Sequence, residues 1–67
     1  MALDTKLQRF RVATGMTQQQ LAIKANMNLV TLQKLETGVN KINGARAETV
    51  LKLAKALNTT VEELLED

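Results

Sequence analysis

Apolar residues recur along this chain at intervals of three and four, in short blocks separated by polar turns, a pattern that predicts five helices and no strand. The first block sets Leu3, Leu7 and Phe10 on one face and predicts a helix from about Leu3 to Thr14, with Gly15 placed to stop it. Residues 17–38, TQQQLAIKANMNLVTLQKLETG, then hold two amphipathic segments joined by a tight polar turn. Thr17 and Gln20 have the spacing of a capping box, in which each side chain satisfies an orphan backbone donor of the other's turn. Leu21, Ala22 and Ala25 make that segment's apolar stripe. Asn26 stands where the chain turns sharply, since asparagine tolerates a left-handed backbone better than other non-glycine residues. Asn28 is placed to cap the second segment, Leu32 and Leu35 give it a narrow inward stripe, and Gly38 ends it. Its opposite face, at about 100° per residue, carries Val30, Gln33, Lys34 and Thr37.

Past Gly38 a loop is expected from Val39 to Asn43, with Ile42 dipped into the core. A fourth helix then runs from Asn43 as cap to Leu57, with Ala47, Val50, Leu51, Ala54 and Leu57 inward and Asn58 ending it. Thr60 and Glu63 suggest a second capping box and a short fifth helix carrying Val61, Leu64 and Leu65. A chain of 67 residues has room for one small domain, residues 1–67, which buries only about 60% of its unfolded surface.

Composition narrows the chemistry. Without Cys or His, disulfides, thiolate nucleophiles, imidazole bases and the usual zinc sites are absent, so stability rests on helix packing. Asp4, Glu36 and Glu48 are not spaced as a paired-carboxylate site, and nothing groups a nucleophile with a base and an orienting residue, so an enzyme is not expected. No metal, cofactor or small-molecule effector is implied. No apolar run approaches the roughly 20 residues of a membrane span, and MALDTKLQRF lacks the apolar region of a signal peptide. A cytoplasmic protein of bacterial or phage type is expected.

The net charge of +2 conceals an asymmetry. Residues 1–55 carry all nine Lys and Arg against Asp4, Glu36 and Glu48, a local +6, whereas residues 56–67 carry Glu62, Glu63, Glu66 and Asp67, a local −4. A basic body with an acidic tail suits a phosphate-facing surface at one end and a solvated or partner-facing helix at the other. Lys6, Arg9, Lys52 and Lys55 read as solvated helix faces.

Two short helices across a tight turn are the layout of a DNA-binding helix-turn-helix. The whole chain resembles the lambda-repressor-like family, also called XRE or Cro/CI regulators. The resemblance is carried by Leu7, Phe10 and Arg11, by Gly15, Met16, Thr17 and Gln18, by Leu21 and Ala22, by Thr31, Leu32, Leu35, Glu36 and Gly38, and by AETVLKLAKAL before VEELL. It implies an all-α, compact five-helix domain with its second and third helices as the helix-turn-helix, and double-stranded DNA as partner. It also implies roles by position. Asn28, Leu29, Val30 and Lys34 fall where base edges are read. Thr17, Gln18, Thr31, Gln33, Asn40 and Lys41 fall near phosphates. Arg11 and Glu36 match a structural ion pair between the first helix and the end of the third.

Three departures from the family pattern matter. Asn26 stands where glycine is usual, the segment from Gly38 to the fourth helix is long, and Leu29 and Val30 replace polar readers. Apolar side chains read base edges only by contact with the thymine methyl, so a thymine-containing half-site follows, with Asn28 and Lys34 supplying the polar readout. Leu29 has two alternatives, the groove or the interior against the second helix. A chain this small makes few phosphate contacts, and two-fold dimers are the usual remedy. Leu53, Val61, Leu64 and Leu65 exceed what one small core needs and are expected to form a homodimer interface.

The function expected is that of a sequence-specific transcriptional regulator, a repressor on a palindromic operator. The alternative is a protein-interaction module, antitoxin-like or anti-repressor, using the Leu29 and Val30 surface.

Overall fold

The computed structural model describes residues 5–66. Five α-helices, α1 (Lys6–Thr14), α2 (Gln18–Lys24), α3 (Leu29–Thr37), α4 (Ala47–Ala56) and α5 (Val61–Leu64), are joined by short turns, with one 3-10 turn (Ile42–Gly44) between α3 and α4. The architecture of the described residues is all-α. No helix among the described residues is long and apolar enough to cross a membrane.

Local chemistry sets most boundaries. Thr5 caps α1: its hydroxyl accepts the Gln8 N–H at 3.1 Å and donates to the Glu36 carbonyl at 2.9 Å, so one side chain starts α1 and ties it to the end of α3. The helix therefore begins at Lys6, later than expected, and the expected start at Leu3 lies outside the described residues. Gly15, at φ 80°, ends α1 in the left-handed region, where a side chain would be strained. The Thr17–Gln20 capping box closes in both directions, at 3.1 and 2.9 Å. Asn26 and Asn58 take φ of 54° and 56°, and after each the next residue's N–H returns to a carbonyl five residues back, Met27 to Ala22 and Thr59 to Ala54. Each asparagine thus does a glycine's work at a helix end.

One buried cluster joins Leu7, Leu21, Ala22, Ala25, Leu32, Leu35, Ile42, Val50, Leu53, Ala54, Leu57 and Leu64. In it α3 packs on α1 and α2, α4 packs on α2 and α5, and α5 closes against α1. Ile42 is the buried anchor that its place in the loop suggested.

The structure corrects the reading of the second half. Asn43 does not cap α4; it lies in the 3-10 turn, and α4 starts after Arg46, whose side chain makes no capping bond. The inward stripe of α4 is Val50, Leu53, Ala54 and Leu57, leaving Ala47 exposed and Leu51 45% exposed. Both candidate stripes have helical spacing. The one adopted buries Leu53 in place of Leu51 and Ala47, so the two bury the same number of leucines, and packing of α4 against α2 and α5 makes the choice. Leu53 and Leu64 are both fully buried inside the monomer, so neither belongs to a dimer interface. At α5 only half of the capping box forms: Thr60 Oγ1 accepts the Glu63 N–H at 3.3 Å, while the Glu63 carboxylate accepts from the Thr59 hydroxyl at 3.2 Å.

Candidate nucleic-acid interface

A nine-residue helix must serve two faces, and α3 does so by strict division. Inward go Leu32, Leu35 and Glu36; outward go Val30, Thr31, Gln33, Lys34 and Thr37. Val30 is 54% exposed, and Leu29, for which both directions were open, is 36% exposed at the helix start and outside the core. Together with Asn28 and Lys34 they form one continuous outward surface.

Hydrogen bonds decide which groups on that surface remain free to recognise a ligand. Asn28 Oδ1 accepts the Val30 N–H at 2.8 Å, which uses one of that oxygen's two lone pairs and leaves the Asn28 NH2 as a donor. Thr37 turns its hydroxyl back to the Gln33 and Lys34 carbonyls at 3.0 and 3.4 Å. Gln33 Nε2 donates to Gln18 Oε1 at 3.3 Å, linking the middle of α3 to the start of α2 and leaving the Gln18 NH2 as a donor. Thr17 still has a hydroxyl proton to donate, since its oxygen accepts in the capping box.

Beside α3 a concave surface is lined by Thr31, Val39, Asn40, Lys41, Arg46 and Thr49, among others. It brings together three of the expected phosphate residues, Thr31, Asn40 and Lys41. Arg46 is an addition: starting the fourth helix at Asn43 would place it inside that helix, whereas it is the exposed residue preceding α4, next to the Lys41 surface. The signal in the sequence was a lone arginine between two small residues after a long loop.

Beneath the surface, Arg11 and Glu36 form the expected ion pair. Arg11 Nε lies 2.9 Å from both Glu36 carboxylate oxygens, and Nη1 donates to the Met16 carbonyl at 2.8 Å. Glu36 is fully buried and the Arg11 side chain largely so, at 13% exposed. The pair holds α1, the α1–α2 connection and the end of α3 together. No group of acidic residues fit to hold a metal occurs among the described residues.

Comparison with known proteins agrees with this geometry. A helix-turn-helix family model matches residues 7–64, nearly the whole described chain. The fold is similar to the crystal structure of the restriction-modification controller protein C.AhdI from Aeromonas hydrophila, with 28% sequence identity, a TM-score of 0.80, and coverage of 90% of this chain and 86% of that one. No curated protein matches the chain in sequence.

Proposed function

The chain belongs to the lambda-repressor-like, XRE-type helix-turn-helix family of DNA-binding, non-enzymatic regulators, and from that membership we propose that it is a sequence-specific transcriptional repressor that places α3 in the major groove of a palindromic operator. The observation that carries this reading is the outward surface of Asn28, Leu29, Val30 and Lys34, presented by a helix whose other face is wholly buried. The likeness to a restriction-modification controller protein supports a regulator of the same general kind.

In this reading Lys34 donates to guanine, Val30 and Leu29 pack on thymine methyls, and Asn28 offers its NH2 to a base or phosphate acceptor. Thr17, Gln18, Thr31, Gln33, Asn40 and Lys41 meet phosphates, with Arg46 joining them. Phosphate contacts fix register and orientation, while the α3 side chains supply sequence information. With Leu53 and Leu64 inside the monomer, the homodimer face falls to Val61 and Leu65, both half-buried, and to exposed Leu51 on α4. Two-fold symmetry then sets the two α3 helices one helical turn of DNA apart, about 34 Å. The setting is the cytoplasm.

Selection of bound duplexes from a random pool tests this directly. The expected product is a palindrome with thymines in each half-site, bound less tightly as salt rises. A chain that selects no sequence, and instead captures one protein in stoichiometric amount through Leu29 and Val30, overturns this reading in favour of a protein-interaction module.

A further inference from the structure

The loop between α3 and α4 is held from the far end of the chain. Asn43, in the middle of the 3-10 turn, sets both ends of its amide on the main chain of Glu66: Nδ2 donates to the Glu66 carbonyl at 2.5 Å, and Oδ1 accepts the Glu66 N–H at 2.8 Å. This is the two-bond exchange that paired residues make across antiparallel strands, here made by a side chain. Glu66 is fixed in turn, because its Oε2 accepts the Lys6 N–H at 2.6 Å, one of the donors that the first turn of α1 leaves unpaired. Glu66 is thus half-buried and anchored, not part of a solvated acidic tail. Asn40 and Lys41 line the same cleft as Asn43 and Glu66. The loop's other ties are the buried Ile42 and the Asn40 N–H, which donates to the Lys34 carbonyl at 3.1 Å.

We infer that Asn43 and the Glu66 backbone are positioning residues for the DNA grip: they hold the loop so that Asn40 and Lys41 meet phosphate without an ordering cost at binding. Exposed hydrogen bonds like these add little net stability, so their effect falls on where the loop sits, and preorganisation of that kind strengthens binding by removing the cost of ordering. The inference rests on the DNA-binding reading above.

The test compares Asn43→Ala, Glu66→Pro and Glu66→Ala on a duplex carrying the selected site. Glu66→Pro deletes the N–H that Asn43 accepts, at a position whose predecessor, Leu65, already has the extended backbone that proline requires (ψ 141°). Glu66→Ala keeps the main-chain bonds and removes only the carboxylate from α1. Asn43→Ala and Glu66→Pro are expected to weaken binding about tenfold, equally on all sequences, with the salt slope kept because Lys41 still meets phosphate once the loop is ordered. Glu66→Ala should leave the affinity unchanged. In a Lys41→Ala background Asn43→Ala should cost much less than alone, and in the free protein it should speed amide hydrogen exchange at residues 40–44 while thermal unfolding is unmoved. Selective binding by the parent chain with unchanged affinity in Asn43→Ala overturns the inference alone; absence of selective binding by the parent chain overturns the reading beneath it as well.

Discussion

The inward and outward faces of α3 differ in what holds their side chains. Inward, Leu32 and Leu35 sit in the core, the Glu36 carboxylate is gripped by Arg11, and the Glu36 carbonyl receives the Thr5 hydroxyl. Outward, Val30 and Lys34 project into solvent, and the side-chain bonds that form are turned back on α3 itself or reach only to Gln18. One helix therefore separates stability from recognition by rotation about its axis. A substitution acts on folding or on selectivity according to which side of that division it falls.

The largest expected effect lies inward. Arg11→Ala leaves a buried carboxylate without its partner, which costs about 3–5 kcal/mol, a large share of the stability of so small a domain. Chemical denaturation should show Arg11→Ala unfolded or nearly so at room temperature. Replacing both partners, as in Arg11→Met with Glu36→Leu, should recover much of that loss, because well-packed apolar residues are often as stable as a buried ion pair. A mild effect of Arg11→Ala would break the division, since the inward face would then not set stability.

Next come substitutions on the outward face. Lys34→Ala and Val30→Glu should change unfolding free energy by no more than about 0.5 kcal/mol. Each should lose about 1–3 kcal/mol of discrimination at the base it reads. Competition between the selected duplex and a scrambled one measures this. Equal weakening on both duplexes would place Lys34 among the phosphate-binding residues.

The same division explains how much could be read from the amino-acid order. Residues 17–38 were legible because their signals are local: a capping box, an αL asparagine, an N-cap asparagine and a terminal glycine each act within five residues, and each formed. The ion pair Arg11–Glu36 was legible only through resemblance, since nothing local links residues 25 positions apart. Helix α4 misled because LKLAKAL offers apolar residues around most of its circumference. Two stripes fit, and the choice rests on what α2 and α5 present, which is tertiary information. Asn43 misled for a related reason: an asparagine before a helix reads as a cap, but its partner is Glu66, 23 residues away. Arg46 was then hidden by the misplaced helix start. On the reading face the exposure of Leu29 and Val30 and the engagement of the Asn28 oxygen needed the backbone in place.

A smaller effect is expected at the turn that joins the motif's two helices. Asn26 holds φ 54°, a conformation that disfavours a side chain by roughly 1–2 kcal/mol, less for asparagine than for most residues. Asn26→Gly removes that strain but gives the unfolded chain more freedom, so the two effects largely offset. A change within about 1 kcal/mol is expected, with DNA selectivity retained. Asn26→Ala keeps the strain without asparagine's local hydrogen bonding and should be the less stable of the two by thermal unfolding.

The smallest effect comes from a second ion pair, and it sharpens what burial contributes to the first. Glu48 and Lys52 lie one turn apart on α4 at 3.6 Å, with the Glu48 side chain 76% exposed. In water their attraction is weak and screened by salt, so Lys52→Gln should cost no more than about 0.5 kcal/mol at low ionic strength. Glu48→Gln should cost slightly more, because Glu48 is also the acidic residue in the first turn of α4, where a negative charge meets the positive end of the helix dipole. Raising salt toward about 1 M should erase both differences, since the screening length falls to about 3 Å. The destabilisation of Arg11→Ala should persist at the same salt, because buried charges are screened far less. If Arg11→Ala instead recovers with salt, Glu36 is reached by solvent ions, and the inward face of α3 is not the sealed surface on which the division rests.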